Sequence, residues 1–531
     1  MAVIMASLCA SVFVAALDIT IIATATATIA GDLASPSGYQ WIGSAFILTN
    51  TASTPSWGGL SDIWGRRPIL LAAVAIFFAG SLICALSSSF ATVIAGRAVQ
   101  GLGAAGLTTL VNICVSDLFS LRDRGLYLGL TNFVWALAGA VGPVLGGVFA
   151  QQLNWRWCFW INLPISGIVF ILLFFTLRLK SPKRPVRDGL RAIDWTGSLL
   201  IIGSTAMFLV GLDFGGVAYP WGSAVVVCLI VFGVLVGVLF VLNEWKVAVQ
   251  PVVPLRLFRR PSNVAAYTMC FCHGFVFLGA AFYLPLYFQA VLGVGPLLSG
   301  VHLIPFIVSI SLSGASTGLF IQRTGKYMVL VYIGITLTAL GTGLFLLLEA
   351  TTNWPRIIIP QLVAGIGVGM LFEPPLLAVQ AISEPRDIAT ATSTFGFIRS
   401  LSSAISIIVG GVTFQNRMAD EARDLISALG ADALGLLGGG EAATHVEAVS
   451  SLPPDQRAIA REALTRALRT VWILYTSFAV ASLVAGLFLR PYTLGKDIGT
   501  AIGPLGVETG DEDVDRSRPS SSRTADDRQV V

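Results

Sequence analysis

Fourteen runs of about twenty apolar residues succeed one another along this 531-residue chain, and a run of that length is what an α-helix needs to cross a bilayer core about 30 Å thick. They lie near 2–29, 40–60, 69–88, 92–115, 126–149, 158–178, 194–212, 221–243, 264–290, 297–321, 328–348, 356–381, 390–414 and 471–489. The runs are continuous rather than alternating, so they read as helices and not as barrel strands. The expected fold class is an all-α polytopic membrane protein with 14 transmembrane helices. Composition agrees: 55% hydrophobic and 12% charged is membrane usage rather than globular usage.

The placement of positive charge predicts orientation. With the N-terminus in the cytoplasm, the six inward loops carry 17 basic residues, including six between Arg178 and Arg191, and the six short outward loops carry two, Arg156 and Arg356. Basic residues accumulate on the cytoplasmic side of membrane proteins, so both termini are expected there. The longer outward loop, 415–470, holds six Arg, but long loops translocate largely regardless of charge. Within it, "DQRAIAREALTRALR" is helix-like and is expected to lie along the outer face before the last span, and "LGLLGGG" precedes it. The polar tail, with "RSRPSSSR", reads as disordered and cytoplasmic. The first run has no basic stretch ahead of it and is full length, which reads as a span rather than a cleaved signal. A cytoplasmic tail ahead of Met1 in the native product is an expectation of that start.

One charged stretch interrupts the apolar pattern early. "GGLSDIWGRR", residues 58–67, falls in the inward turn between spans 2 and 3. At an offset of 260 residues comes "GLFIQRTGKY", between spans 10 and 11: Gly58 matches Gly318, Asp62 matches Gln322, Gly65 matches Gly325 and Arg66 matches Lys326. Two six-helix halves with two extra helices between them explain the offset, and parallel repeats of this kind are a transporter plan. The expected organisation is an N-terminal six-helix bundle at 1–178, a cytoplasmic linker with the two extra helices at 179–262, a C-terminal six-helix bundle with the outward loop at 263–489, and the tail at 490–531.

In that setting Gly58 lets two helices approach closely. Asp62, at a helix end, can accept from the N-terminus of a neighbouring helix. Arg66 and Arg67 can pair with it or with lipid phosphates. Such a clasp would hold the halves together on the inner side. G-x-x-x-D-x-x-G-R-R between the second and third spans resembles the signature loop of the major facilitator superfamily, except that the residue after the Asp, usually basic there, is Ile63. The resemblance implies a gating loop built from Gly58, Asp62, Gly65, Arg66 and Arg67, with Gly318, Arg323, Gly325 and Lys326 in the second copy.

Further motifs lie within the spans. "RAVQGLGAAG" sets Arg97 and Gln100 inside span 4. An arginine at membrane depth costs at least about 2.5–3.5 kcal/mol, so it must face a cavity or a partner. It resembles the superfamily's intramembrane Arg, linked there to proton coupling. "LAGAVGPVLGG" in span 5 combines Gly142 and Pro143 with Gly146 and Gly147, residues that bend a helix and thin its face. It is similar to the family's antiporter signature, with Ala138 in place of the first Gly. "ALDITIIATA" sets Asp18 in span 1 and resembles the L-D-x-T element of the fourteen-spanner drug:proton antiporter branch, without the Asn and Pro that usually follow. "MLFEPPLLA" sets Glu373 before Pro374 and Pro375, which should break span 12 and expose carbonyls to a cavity. Relatives commonly carry Gln there. Arg399 lies in span 13, in "TFGFIRSLSSAIS". Together with 282–305 and 386–400, these segments resemble fungal efflux pumps for toxins and secondary metabolites, over residues 1–490.

Other chemistries find no support. The seven Cys show no metal spacing. There is no G-x-x-x-x-G-K-S/T, so ATP is not the expected driver. His273 and His302, in spans 9 and 10, read as packing residues. No enzyme site, metal, cofactor or nucleic-acid partner is expected.

The function expected is proton-coupled export of a small, largely apolar compound by alternating access. The proton and substrate pathway is expected to run through Asp18, Arg97, Gln100, Glu373 and Arg399, in a cavity lined by spans 1, 4, 5, 9, 12 and 13. The partners are substrate, protons and the lipid bilayer, the state is a monomer, and the membrane is the plasma membrane, with the vacuolar membrane as alternative. A carrier of basic amino acids or another small metabolite is the rival within transport. A non-transporting receptor or sensor is the rival from another class.

Overall fold

The computed structural model describes residues 1–33, 39–177, 188, 193–216, 219–429, 452–492 and 494–495. The basic linker from Arg178 to Arg191, "LGLLGGG" and the tail beyond 495 therefore lie outside the described residues. The described elements are helices, and the described residues contain no strand, only an isolated bridge between Gly215 and Tyr219.

The helices are α1 (Ala2–Asp32), α2 (Tyr39–Trp64), α3 (Arg66–Ala85), α4 (Phe90–Leu118), α5 (Leu121–Gln152), α6 (Trp157–Trp160), α7 (Asn162–Thr176), α8 (Trp195–Phe214), α9 (Ala224–Lys246), α10 (Pro261–Leu286), α11 (Pro296–Thr324), α12 (Met328–Leu344), α13 (Trp354–Met370), α14 (Pro374–Ile382), α15 (Ile388–Leu429) and α16 (Pro454–Gly486). They follow the fourteen apolar runs in order, with α6–α7 and α13–α14 each forming one run. Among the described residues thirteen segments are long and apolar enough to cross a membrane. The remaining run, α2, has the same length but carries a row of hydroxyls. Thr49, Ser53 and Thr54 donate to the carbonyls of Ala45, Thr49 and Asn50 at 2.7–2.9 Å, so these hydroxyls are satisfied within the helix.

α1 to α7 pack among themselves, and so do α10 to α16. α8 and α9 pair with each other, α8 lies against α2 and α15, and α9 turns an apolar face outward through Val231, Phe232, Val238 and Leu239. The two groups meet along α5 with α11 and along α2 with α15. One buried apolar cluster joins both groups at the end bearing the 58–67 turn, through Trp57, Val111, Ile321, Leu377 and Phe395. At the opposite end the buried residues fall into separate clusters, one around Ile22, Ile42 and Phe159 and one around Tyr283, Phe288 and Trp472. The molecule is thus closed at its basic end and divided at the other.

The segment 415–470 differs from expectation. α15 runs on past the apolar run and α16 begins at Pro454, so "DQRAIAREALTRALR" is continuous with the last span rather than laid along a surface. The reason is amphipathic: Ala460, Ala463, Leu464, Ala467 and Leu468 bury against Phe414 and Met418. Arg417 and Arg466 both pair with the buried Glu421, at 2.9 and 2.6 Å.

Candidate functional site

Asp18 sits in α1, fully buried, and Arg97 of α4 meets it at 2.5 Å. Gln100 and Asn162 donate to its second oxygen at 2.9 and 2.7 Å. Arg97 in turn donates to Gln100 Oε1 at 2.9 Å and to the Ile42 carbonyl at 3.0 Å, and its guanidinium lies 4.4 Å from the centre of the Phe46 ring. Gln100 also donates to Ser81 Oγ at 2.8 Å. The partner that an intramembrane arginine requires is therefore Asp18, and both carboxylate oxygens are in use. Asn162 has no counterpart in the sequence reading. Its signal is a lone amide at the mouth of an apolar run, just before Pro164.

Glu373 is buried to the same degree, at the break between α13 and α14. The Pro374–Pro375 pair accounts for the break, because neither ring nitrogen can donate to the preceding turn. The freed Phe372 carbonyl accepts from Arg399 Nη2 at 2.9 Å, and the Arg399 guanidinium lies between the Phe372 and Phe395 rings at 5.1 and 5.0 Å. Glu373 Oε1 accepts from Asn132 of α5, a contact between the two helix groups. Its Oε2 has no hydrogen-bond partner. Arg399 stands within electrostatic range but forms no ion pair with it. His273 closes the cluster, with Nε2 against the Val368 carbonyl at 2.9 Å, its ring edge-on to Phe372, and Nδ1 without a partner. His302 lies apart, against Phe288 and Trp354. The two carboxylates thus belong to separate networks that share no hydrogen-bond partner.

In the antiporter-like stretch, α5 stays one helix through Pro143. A Cβ on Gly142 would stand 2.0 Å from Thr20 Oγ1, and one on Gly146 would stand 2.1 Å from the Ile21 carbonyl oxygen, so both glycines admit α1. Thr20 and Thr24 of α1 donate to the carbonyls of Ala138 and Pro143, at 3.0 and 3.3 Å. Gly147 faces open space, so the close-packed face is narrower than the four-residue motif suggests.

The two turn motifs each hold a glycine at positive φ, at the N-cap of α3 in the first and the C-cap of α11 in the second. Gly65 and Gly325 both adopt positive φ, 91° and 69°, which glycine alone takes up without strain. Gly58 packs on Ser393 of α15 and Gly318 on the Gly125 backbone of α5, so each copy seats its helix against the other group. Their side chains differ from the expected clasp. Asp62 pairs with Arg66 at 2.5 Å, and Arg66 reaches Asp117 of α4 at 2.7 Å. Arg67 turns to the Phe174 carbonyl and ring. All of these lie within the first group, and Asp62 takes its charge partner from Arg66, one turn along the chain. Ile63 is buried, an apolar contact where the family's basic residue would stand.

Residues that sequence reasoning counted only as charge join the groups instead. Arg122 donates to the carbonyls of Gln322, at 2.7 Å, and of Arg323. Gln322 donates to Asp123 at 3.1 Å, and buried Arg124 donates to Gln380 of α14 at 3.1 Å. Lys326 is exposed. A cavity of about 100 Å3 lies at the divided end between α2, α8 and α15. That lining shares only the thirteenth span with the expected one, since Asp18, Arg97, Gln100 and Asn162 fill the interior of the first group with one another.

Comparison with known proteins adds identity to this geometry. The family described as Major Facilitator Superfamily matches residues 8–407. "Efflux pump dotC" of Dothistroma septosporum (strain NZE10 / CBS 128990) is 48% identical over 482 residues, 91% of this chain and 83% of that protein. "MFS-type transporter ppz2" of Metarhizium majus is 45% identical, over 96% of this chain and 88% of its own. "Efflux pump FUS6" of Gibberella fujikuroi is 34% identical, over 98% and 92%. Among solved structures, the proton:xylose symporter XylE bound to 6-bromo-6-deoxy-D-glucose superposes with a TM-score of 0.58 at 14% identity, over 94% of this chain and 97% of that one. The human organic anion transporter MFSD10 (TETRAN) gives 0.56 at 16%, over 90% and 99%. At such identities the structures speak for the fold alone.

Proposed function

Because the chain belongs to the major facilitator superfamily, we propose that it exports a small, largely apolar organic compound by alternating access, with inward proton flow as the driver. Two of its relatives, dotC and FUS6, are described as efflux pumps, which supports the outward direction. Its partners are that compound, protons and the lipid around it. It works as a monomer in the plasma membrane with both termini in the cytoplasm, and no cofactor enters the cycle.

The observation that carries the coupling is Glu373. A buried carboxylate that lacks donors favours its protonated form, whereas hydrogen bonds and opposite charge favour the ionised one. Asp18 accepts from Arg97, Gln100 and Asn162. Glu373 has Asn132 as its one side-chain donor, and its Oε2 has no hydrogen-bond partner. In the arrangement closed at the basic end, Glu373 takes a proton from the opposite side as cargo leaves. After the halves rock, it gives that proton to the cytoplasm as new cargo binds beside Arg399. Asp18 and Arg97 form a fixed pair that positions α1 and α4. The 58–67 turn, its copy at 318–327 and Arg122 hold the cytoplasmic side shut between cycles.

Inside-out vesicles carrying the full chain test this reading. An imposed gradient, acid within, should drive uptake of an apolar fluorescent dye, and a protonophore should abolish it. Dye uptake that ignores the gradient would remove the coupling, and no uptake of any such dye would favour a receptor.

A further inference from the structure

The cavity at the divided end has a chemistry that the coupling site does not use. Asp213, on the last turn of α8, points its carboxylate into it, and the walls are apolar: Leu48 from α2, Leu209 from α8, Ile407 and Ile408 from α15, and the Trp41 ring. Ser44 donates to Asp213 at 3.2 Å, and among the described residues no charged group acts on that carboxylate. α8 is held in place locally, because Phe214 meets Trp41 edge-on at 5.7 Å and Tyr219 at 5.6 Å. The position is therefore built, and Asp213 lines an apolar recess with Ser44 as its hydrogen-bond partner. A carboxylate in low-dielectric surroundings seeks a counter-charge, and an indole ring beside it favours a cation.

We propose that the recess between α2, α8 and α15 binds an apolar amine in its protonated form, with Asp213 as the counter-charge and Trp41 as the flat wall. The ammonium sits at Asp213 and Ser44, and the apolar body lies along Leu48 and Ile407. Ile407 and Ile408 lie about two turns of α15 beyond Arg399, on the side where the helix groups are divided. The recess is then an exit-side station for cationic cargo, a role that rests on the export reading, whereas the binding itself does not. It also gives the inserted helix pair a task, since α8 supplies the selecting charge.

Chemical labelling tests binding without transport. In the full chain in lipid nanodiscs, the exposed Cys228 and half-buried Cys9 are replaced by Ser, and Ile408→Cys provides a reporter. Aminoethyl methanethiosulfonate, a cation, should label it about tenfold faster than the anionic sulfonatoethyl reagent, relative to their rates with a free thiol. Adding Asp213→Asn should bring the ratio back to the free-thiol value. Decylammonium should protect the reporter and decanol should not, and that difference should vanish with Asp213→Asn. A ratio that Asp213→Asn leaves unchanged, equal protection by both compounds, or a reporter that neither reagent reaches would each overturn the proposal. A protein that shows this labelling pattern but moves no dye would instead sink the export reading alone.

Discussion

Asp18 and Glu373 are both carboxylates inside the helix bundle, 0% and 1% exposed, yet the protein treats them in opposite ways. Asp18 is given an arginine and two amides, and Arg97 and Gln100 have further partners of their own. Glu373 is given one amide, from the other helix group, and a free oxygen. A carboxylate with donors on both oxygens is tied to the structure around it, because its loss strands those partners. A half-satisfied one can change state cheaply. Burial alone therefore does not nominate a proton carrier, and the count of donors does.

The sharpest way to break this contrast is Asp18→Asn. The substitution leaves Arg97 buried without a counter-charge, a change of about 3–5 kcal/mol in similar cases. Thermal unfolding in detergent should show a large loss of stability, while Glu373→Gln should stay near wild type. A stable Asp18→Asn beside an unstable Glu373→Gln would reverse the assignment.

Next in size is the helix that links the two sites, since α5 packs on α1 and sends Asn132 to Glu373. Gly146→Leu drives a side chain into the Ile21 carbonyl and should cost about 1–3 kcal/mol or more. The protein should still insert, but gradient-driven flux should be lost. Gly147→Leu meets open space and should transport normally. Equal flux in both variants would detach the close α1–α5 contact from function.

A smaller effect is expected at the basic end. Arg122→Ala removes two contacts between the groups and should shift the population toward the inward-open state by about 1–3 kcal/mol, roughly 5- to 150-fold. The reporter is Ser393→Cys, which Gly58 covers in the closed arrangement. Its labelling from the basic side should rise with Arg122→Ala. Asp62→Asn should raise it less, because Arg66 keeps Asp117. A larger rise for Asp62→Asn would restore the clasp that the sequence suggests.

Much of this was open to inspection before any coordinates. Hydropathy gives the spans because an unpaired backbone cannot stay in hydrocarbon, and the offset of 260 residues gives the duplicated turn, where each copy has a glycine at positive φ and another that seats its helix against the other group. Arg97 and Asp18 are each legible as charges in need of a partner. What a one-dimensional pattern does not carry is which partner. Gly58 and Gly318 announce close approach but not against Ser393 or Gly125, and Asn162 looks like any amide near an interface. Arg122 resembles its neighbours in a basic loop, although its value lies in two backbone carbonyls some two hundred residues away. The amphipathic stretch before the last span reads as surface because its partner, the extension of α15, lies beyond a polar segment.

The central claim is that Glu373 is the group whose proton is exchanged for cargo. Counterflow separates this from a general role in binding, since exchange of labelled for unlabelled substrate needs no net proton movement. In vesicles carrying Glu373→Gln, exchange of the dye should continue at a rate near wild type, while accumulation driven by a proton gradient should fall to the level of empty vesicles. Accumulation that survives in Glu373→Gln with its normal dependence on the gradient would contradict the account and return the proton to Asp18.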